Sequence, residues 1–102
     1  MKIDKISQLT PPEHVLCKFD LQKLYKENVD SEISDYSLEL MKESDLKRTI
    51  AITVFFKIYN GKTNKTRYIS LVCAWLQCSF FSVKLWVKEK PRLFNKINQT
   101  KV

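Results

Sequence analysis

A chain of 102 residues with a formal net charge of +7 is long enough for one modest hydrophobic core and too short for two, so a single domain spanning residues 1–102 is expected. Its 44% hydrophobic, 12% aromatic and 28% charged residues exclude the composition of a disordered chain. The charge is sorted along the sequence: residues 1–45 carry six Lys against ten Asp or Glu, a balance of −4, and residues 46–102 carry twelve Lys or Arg against Glu89 alone, a balance of +11.

Such asymmetry implies a polyanionic partner for the second half, either nucleic acid or an anionic membrane surface. A composition rich in Lys, Asn and Ile raises the isoelectric point by itself, but it does not gather the acids into one half. The opening "MKIDKISQLTPPEH" contains no apolar h-region, so no secretory signal peptide is expected in it. Cys17, Cys73 and Cys78 are odd in number and lack CxxC spacing. They read as reduced thiols of an intracellular protein, cytoplasmic or nuclear, which leaves the N-x-T sequences at Asn64 and Asn98 without a glycosylation role.

Two patterns compete in "LTPPEHVLCKFDLQKLYKEN". Thr10, Pro11 and Glu13 have the spacing of a helix start, with Thr10 as N-cap and Glu13 in the capping-box position. The alternation of Val15, Cys17, Phe19 and Leu21 with polar residues has the period of a half-buried strand, and it favours a strand here. "YKENVDSEISD" reads as a polar connection. "SDYSLELMKES" repeats the alternation through Tyr36, Leu38 and Leu40.

The strongest strand pattern is "KRTIAITVFFKIY", β-branched and aromatic, with Ile50, Ile52, Val54, Phe56 and Ile58 on one face. Asn60-Gly61 is the usual two-residue hairpin signal. That register, however, sets Phe56 and Val54 against Lys65 and Arg67 on the face that must enter the core. A longer loop, "NGKTNK", instead pairs Tyr59 with Thr66 and brings Phe56, Val54 and Ile52 against Ile69, Leu71 and Cys73. The expected fold is therefore α+β and β-rich, with an antiparallel sheet of strands at about 48–59 and 66–73 and a long apolar C-terminal element.

That element, "YISLVCAWLQCSFFSV", has no charge over residues 68–83. It is compatible with a transmembrane helix near the minimum length, with a core helix, or with strands that turn near residues 77–79. Trp75 and Trp86 beside lysines would also suit a lipid headgroup layer. The run holds more apolar side chains than a domain of this size readily encloses, so self-association into a homo-oligomer is expected.

The projecting loop carries Lys62 and Lys65 at its tip and Lys57 and Arg67 at its base, with Thr63, Asn64 and Thr66 as directed donors and acceptors for phosphate. The tail adds Lys84, Lys88, Lys90 and Arg92, then Lys96 and Lys101. Folded back beside the loop, it would complete one basic face, with Phe94 either stacked on a base or anchoring the segment. Lysine-rich loop tips also serve simply to keep an edge soluble.

Catalytic and metal chemistry find little support. His14 is the sole histidine, Cys73 and Cys78 lie in apolar sequence that disfavours a thiolate, and the carboxylates Asp30, Glu32, Asp35, Glu39, Glu43 and Asp45 follow the pattern of a solvated surface. Gly61 stands alone, so no phosphate-cradling glycine loop is present. The sequence thus implies a non-enzymatic binding protein without cofactors, contacting nucleic acid (RNA or DNA) through Lys57, Lys62, Lys65, Arg67, Lys84, Lys88, Lys90 and Arg92. Its size, basic second half and composition suit an accessory protein of a virus or other mobile element. The alternative is a self-associating, matrix-like or protein-interaction module that meets anionic membrane peripherally.

Overall fold

The computed structural model describes residues 6–99, with side chains described through Glu89. After a 3-10 turn, Ile6–Gln8, come five helices: α1 Lys18–Asn28, α2 Asp35–Leu40, α3 Glu43–Tyr59, α4 Lys65–Leu76 and α5 Phe80–Gln99. No strand occurs among the described residues, so the expected α+β sheet is overturned in favour of a small all-helical domain. Residues 48–59 are the body of α3, and residues 66–73 lie in α4. The half-buried strands read at residues 15–21 and 36–40 are likewise a coil entering α1 and the short helix α2.

The reason lies in α3. Its alternation at Ile50, Ile52, Val54, Phe56 and Ile58 coexists with the four-residue recurrence Leu46, Ile50, Val54, Ile58. Ala51 and Phe55 widen that stripe, and Ile52 is buried on another face. A helix buried nearly all round shows no single apolar period. Packing outweighs local preference here: β-branched and aromatic residues lose up to about 0.7 kcal/mol each in a helix, whereas burying a large aliphatic or aromatic side chain gives about 1.5–3 kcal/mol. Glu43 and Asp45 in the first turn and Lys57 in the last complement the helix dipole. The Asn60-Gly61 signal is a real turn of another kind. Asn60 (φ 40°) and Gly61 (φ 75°) take the left-handed conformation that terminates a helix.

α1, α4 and α5 all pack on α3, and α4 also packs on α5. The core runs through Leu21, Leu38, Leu46, Ile50, Val54, Phe55, Val72, Leu76 and Val83, all fully enclosed. α1 starts seven residues after Pro11, at a cap made by Asp20, whose carboxylate accepts from the Cys17 N–H (3.0 Å) and thiol (3.2 Å). α2 lies antiparallel to α1: Lys18 donates to the Glu39 carbonyl (2.7 Å), Gln22 to the Glu39 carboxylate (3.2 Å), and Lys26 pairs with Asp35.

The uncharged run is α4 and the start of α5, broken at residues 77–79 where the sequence suggested a turn. Gln77 is left-handed (φ 56°, ψ 42°), the Cys78 N–H closes on the Cys73 carbonyl (3.0 Å), and Ser79 Oγ caps α5 by accepting from the Ser82 N–H (3.1 Å). The two axes diverge by 118°. Among the described residues no single helix is long and apolar enough to cross a membrane; α4 with residues 80–89 reaches the composition only as this bent pair. Ile69, Val72, Cys73, Trp75, Leu76, Val83 and Val87 are buried within one chain, so most of the run finds its cover without a second copy.

Candidate nucleic-acid interface

The fold divides six of the eight sequence-selected cations into three groups. Lys57 lies in the last turn of α3, half-buried at the base of the α3–α4 connection, where it complements the helix C-terminus. Lys62, Lys65 and Arg67 are exposed around the α3–α4 connection. Lys84 and Lys88 are exposed one turn apart on α5. Lys90, Arg92 and Phe94 belong to α5, but their side chains lie outside the described residues, as does Lys96.

The connection differs from the expected hairpin tip. Asn64, left-handed (φ 64°), accepts the Arg67 N–H through Oδ1 at 3.4 Å and so caps α4. Lys65 and Arg67 then occupy the first turn of a helix that has no acid there. This arrangement opposes the helix dipole, at about 0.3–1 kcal/mol per charge at low ionic strength. An anion seated there would reverse the sign of the interaction and meet the free N–H groups of the first turn. Beside it, Lys62 Nζ lies 6.0 Å from the centre of the Tyr68 ring, and Tyr68 is edge-on to Tyr59 at 6.0 Å. Tyr59 in turn stacks on the enclosed Phe55 at 5.1 Å. A rigid aromatic column thus links the loop to the core.

α5 presents a second basic surface. Phe81 is 81% exposed and Leu85 52%, and with Lys84 and Lys88 they fall on one stripe by helical period. Val83 and Val87 face the opposite way, into the core. The sequence concealed this stripe because Phe81 read as the end of an uncharged run and Leu85 as its extension past Lys84. The signal that exposes them is Ser79 as N-cap, from which the helical period is counted. The 12 residues of α4 set about 18 Å between the loop and the start of α5, and the tail side chains expected to complete one basic face beside the loop, from Lys90 onward, lie outside the described residues.

None of Lys57, Lys62, Lys65, Arg67, Lys84 and Lys88 forms an ion pair among the described residues. The pairs present are His14–Asp20, Lys26–Asp35 and Arg48–Asp45. In the acidic half Lys18 and Lys26 make internal contacts, and in the basic half Arg48 pairs with Asp45, whereas Lys62, Lys65, Arg67, Lys84 and Lys88 face solvent.

Other chemistry-bearing groups have structural duties. Asp20 Oδ2 receives the Cys17 N–H and thiol and lies 3.4 Å from His14 Nε2. The Cys17 N–H, then the thiol, hold this carboxyl below its ordinary range. Thiol and imidazole both turn to that oxygen, with no hydrogen bond between them among the described residues. Burial pushes the Cys73 and Cys78 thiols up, away from the nucleophilic form. Among the described residues no group of three or more His, Cys, Asp or Glu is placed to hold a metal ion. A shallow cavity of about 250 Å³, whose lining includes Pro12, Leu16, Asp20, Leu24, Glu27 and Trp75, falls below the usual range of about 300–1,000 Å³ for small-molecule sites.

No family model, curated protein or solved structure matches this chain.

Proposed function

We propose that the protein is a non-enzymatic nucleic-acid-binding domain, with the first turn of α4 and the exposed stripe of α5 as its contact surfaces. The observation that carries this reading is the set of uncommitted cations. Lys62, Lys65, Arg67, Lys84 and Lys88 are solvent-facing and unpaired among the described residues. Lys65 and Arg67 also sit where the helix dipole penalises a cation and rewards an anion. Phosphate supplies that anion, and the capped N-terminus of α4 supplies directed donors.

The test is anisotropy titration of a labelled duplex over a salt series. Binding should weaken with salt, and log affinity against log salt should flatten by about 0.9 per phosphate contact removed. Lys62→Gln with Lys65→Gln should therefore lower the slope by about 2, and Lys84→Gln with Lys88→Gln by a similar amount. Far-UV circular dichroism should be unchanged in both, because exposed charges contribute within about 0.5 kcal/mol to stability. An unchanged slope in both variants would refute the reading. Loss of vesicle binding in the same variants, with no duplex binding by the parent, would assign the surface to anionic lipid.

A further inference from the structure

Resting on that reading, we infer that α4, the turn at residues 77–79 and α5 form a helix-turn-helix that reads duplex DNA, with the first turns of α5 seated in the major groove. Three independent features of the geometry meet here. The first is the angle. Helix-turn-helix pairs cross at roughly 90–120° through a turn of three or four residues; α4 and α5 diverge by 118° across three residues. The second is rigidity. Gln77 takes the left-handed conformation at the turn, the Cys78 N–H closes on the Cys73 carbonyl, and Val72, Leu76, Val83 and Val87 are buried, with α3 packed against both helices as the third member.

The third is what the second helix shows to solvent. Phe81, Lys84, Leu85 and Lys88 lie within a stripe about 100° wide and about 10 Å long, which at about 3.4 Å per step covers three base pairs. A helix with its side chains is about 10–12 Å across and fits a major groove about 12 Å wide. Glu89, the only acid in residues 80–89, is half-buried.

The mixed character of the stripe selects among occupants. Against a lipid or an apolar protein face, Lys84 between Phe81 and Leu85 would carry a charge into the contact. The major groove offers each side chain its match: guanine O6 and N7 accept from lysine, and the thymine C5-methyl receives apolar contact. The division of labour follows from this. Lys65 and Arg67 at the start of α4 hold phosphates, as expected of the first helix crossing the backbone. Phe81, Lys84, Leu85 and Lys88 determine sequence preference.

The experiment is selection of duplexes with a randomised centre by the full chain, followed by replacement of thymine with uracil in the selected core. Uracil removes only the C5-methyl. A short core containing thymine should emerge, and uracil should weaken binding about 5-fold or more, the size of a single mismatch. In Phe81→Ala or Leu85→Ala, folded by circular dichroism, thymine and uracil duplexes should bind alike. Lys62→Gln should weaken all duplexes equally and leave the thymine preference in place. Three results would each overturn the inference while leaving nucleic-acid binding intact: no core emerging, a core indifferent to uracil, or single strands of the same sequence outcompeting the duplex. Failure to bind any nucleic acid at low salt would overturn it together with the proposed function.

Discussion

Gln77 holds two parts of the molecule at once, and replacing it with glycine sets two effects of opposite sign against each other. Its Oε1 accepts the Leu16 N–H at 2.8 Å, and its Nε2 donates to the His14 carbonyl at 2.6 Å. The N-terminal segment is thereby fastened to the turn between α4 and α5. Its backbone is left-handed, where a non-glycine residue loses about 1–2 kcal/mol. Gln77→Gly removes that strain but returns about 0.4–1 kcal/mol through the freer unfolded chain, for a net gain near 1 kcal/mol. The two lost hydrogen bonds are worth about 0.5–1.5 kcal/mol each, so the balance is a loss of roughly 1 kcal/mol. In a domain of this size that lowers Tm by about 4–8 °C. Thermal melts give the sum, and amide hydrogen exchange at Leu16 gives the location. Exchange there should accelerate strongly, and the amides of α3 should slow or quicken only with global stability. Gln77→Asn keeps a residue that tolerates the left-handed region but is one methylene too short to reach both partners, so it should release Leu16 without the strain relief. A Gln77→Gly protein more stable than its parent, or a Leu16 amide as protected as before, would refute the clamp.

Phe55→Ala removes a fully enclosed ring that stacks on Tyr59 at 5.1 Å. A loss of about 3–5 kcal/mol is expected, a large share of the roughly 5–15 kcal/mol available to a domain of this length, visible as a broad, early thermal transition. Thiol titration of the native protein should find Cys17 reacting promptly and Cys73 and Cys78 slowly, since Cys17 is exposed and burial raises the other two; urea should bring all three to one rate. Asp20 has a carboxyl pKa held below its unfolded value by the Cys17 N–H and thiol. Its contribution is therefore full above about pH 4 and is lost as pH falls through the folded value. Acid titration followed by circular dichroism should show that limb flattened in Asp20→Asn.

The sequence made punctuation legible and period illegible. Asn60-Gly61 and the break near residues 77–79 both mark real chain reversals, because left-handed backbone has few residues that tolerate it. What lies between them was misread, since β-branched residues recurring at two also recur at four. Ile50, Val54 and Ile58 satisfy both templates, and only the contacts from α1, α4 and α5 decide between them. The cap of α1 was hidden for a different reason: Cys17 is an uncommon N-cap, and Thr10, Pro11 and Glu13 offered a better-known pattern in the wrong place. The basic sites were visible as charges. Their setting was not, because Lys65 and Arg67 open a helix instead of flanking a hairpin, and Lys84 and Lys88 share an exposed stripe of α5 with Phe81 and Leu85. Phe81 and Leu85 could be separated from the core only by knowing where α5 begins.

The burial of α3 on nearly all sides has a consequence for the protein when it is not folded. A segment that is helical only through its neighbours keeps its extended-chain preferences whenever those neighbours leave. Residues 49–56, "TIAITVFF", are uncharged, free of proline and glycine, and rich in β-branched and aromatic side chains, the composition of segments that stack as cross-β fibrils. Arg48 and Lys57 flank them as gatekeepers. Folding and colloidal stability are thus one problem in this chain: each opening of the bundle exposes a fibril-forming strand. A peptide of residues 48–59 in isolation should give a β-sheet circular dichroism spectrum and seed thioflavin-positive fibres, whereas the intact domain should remain helical.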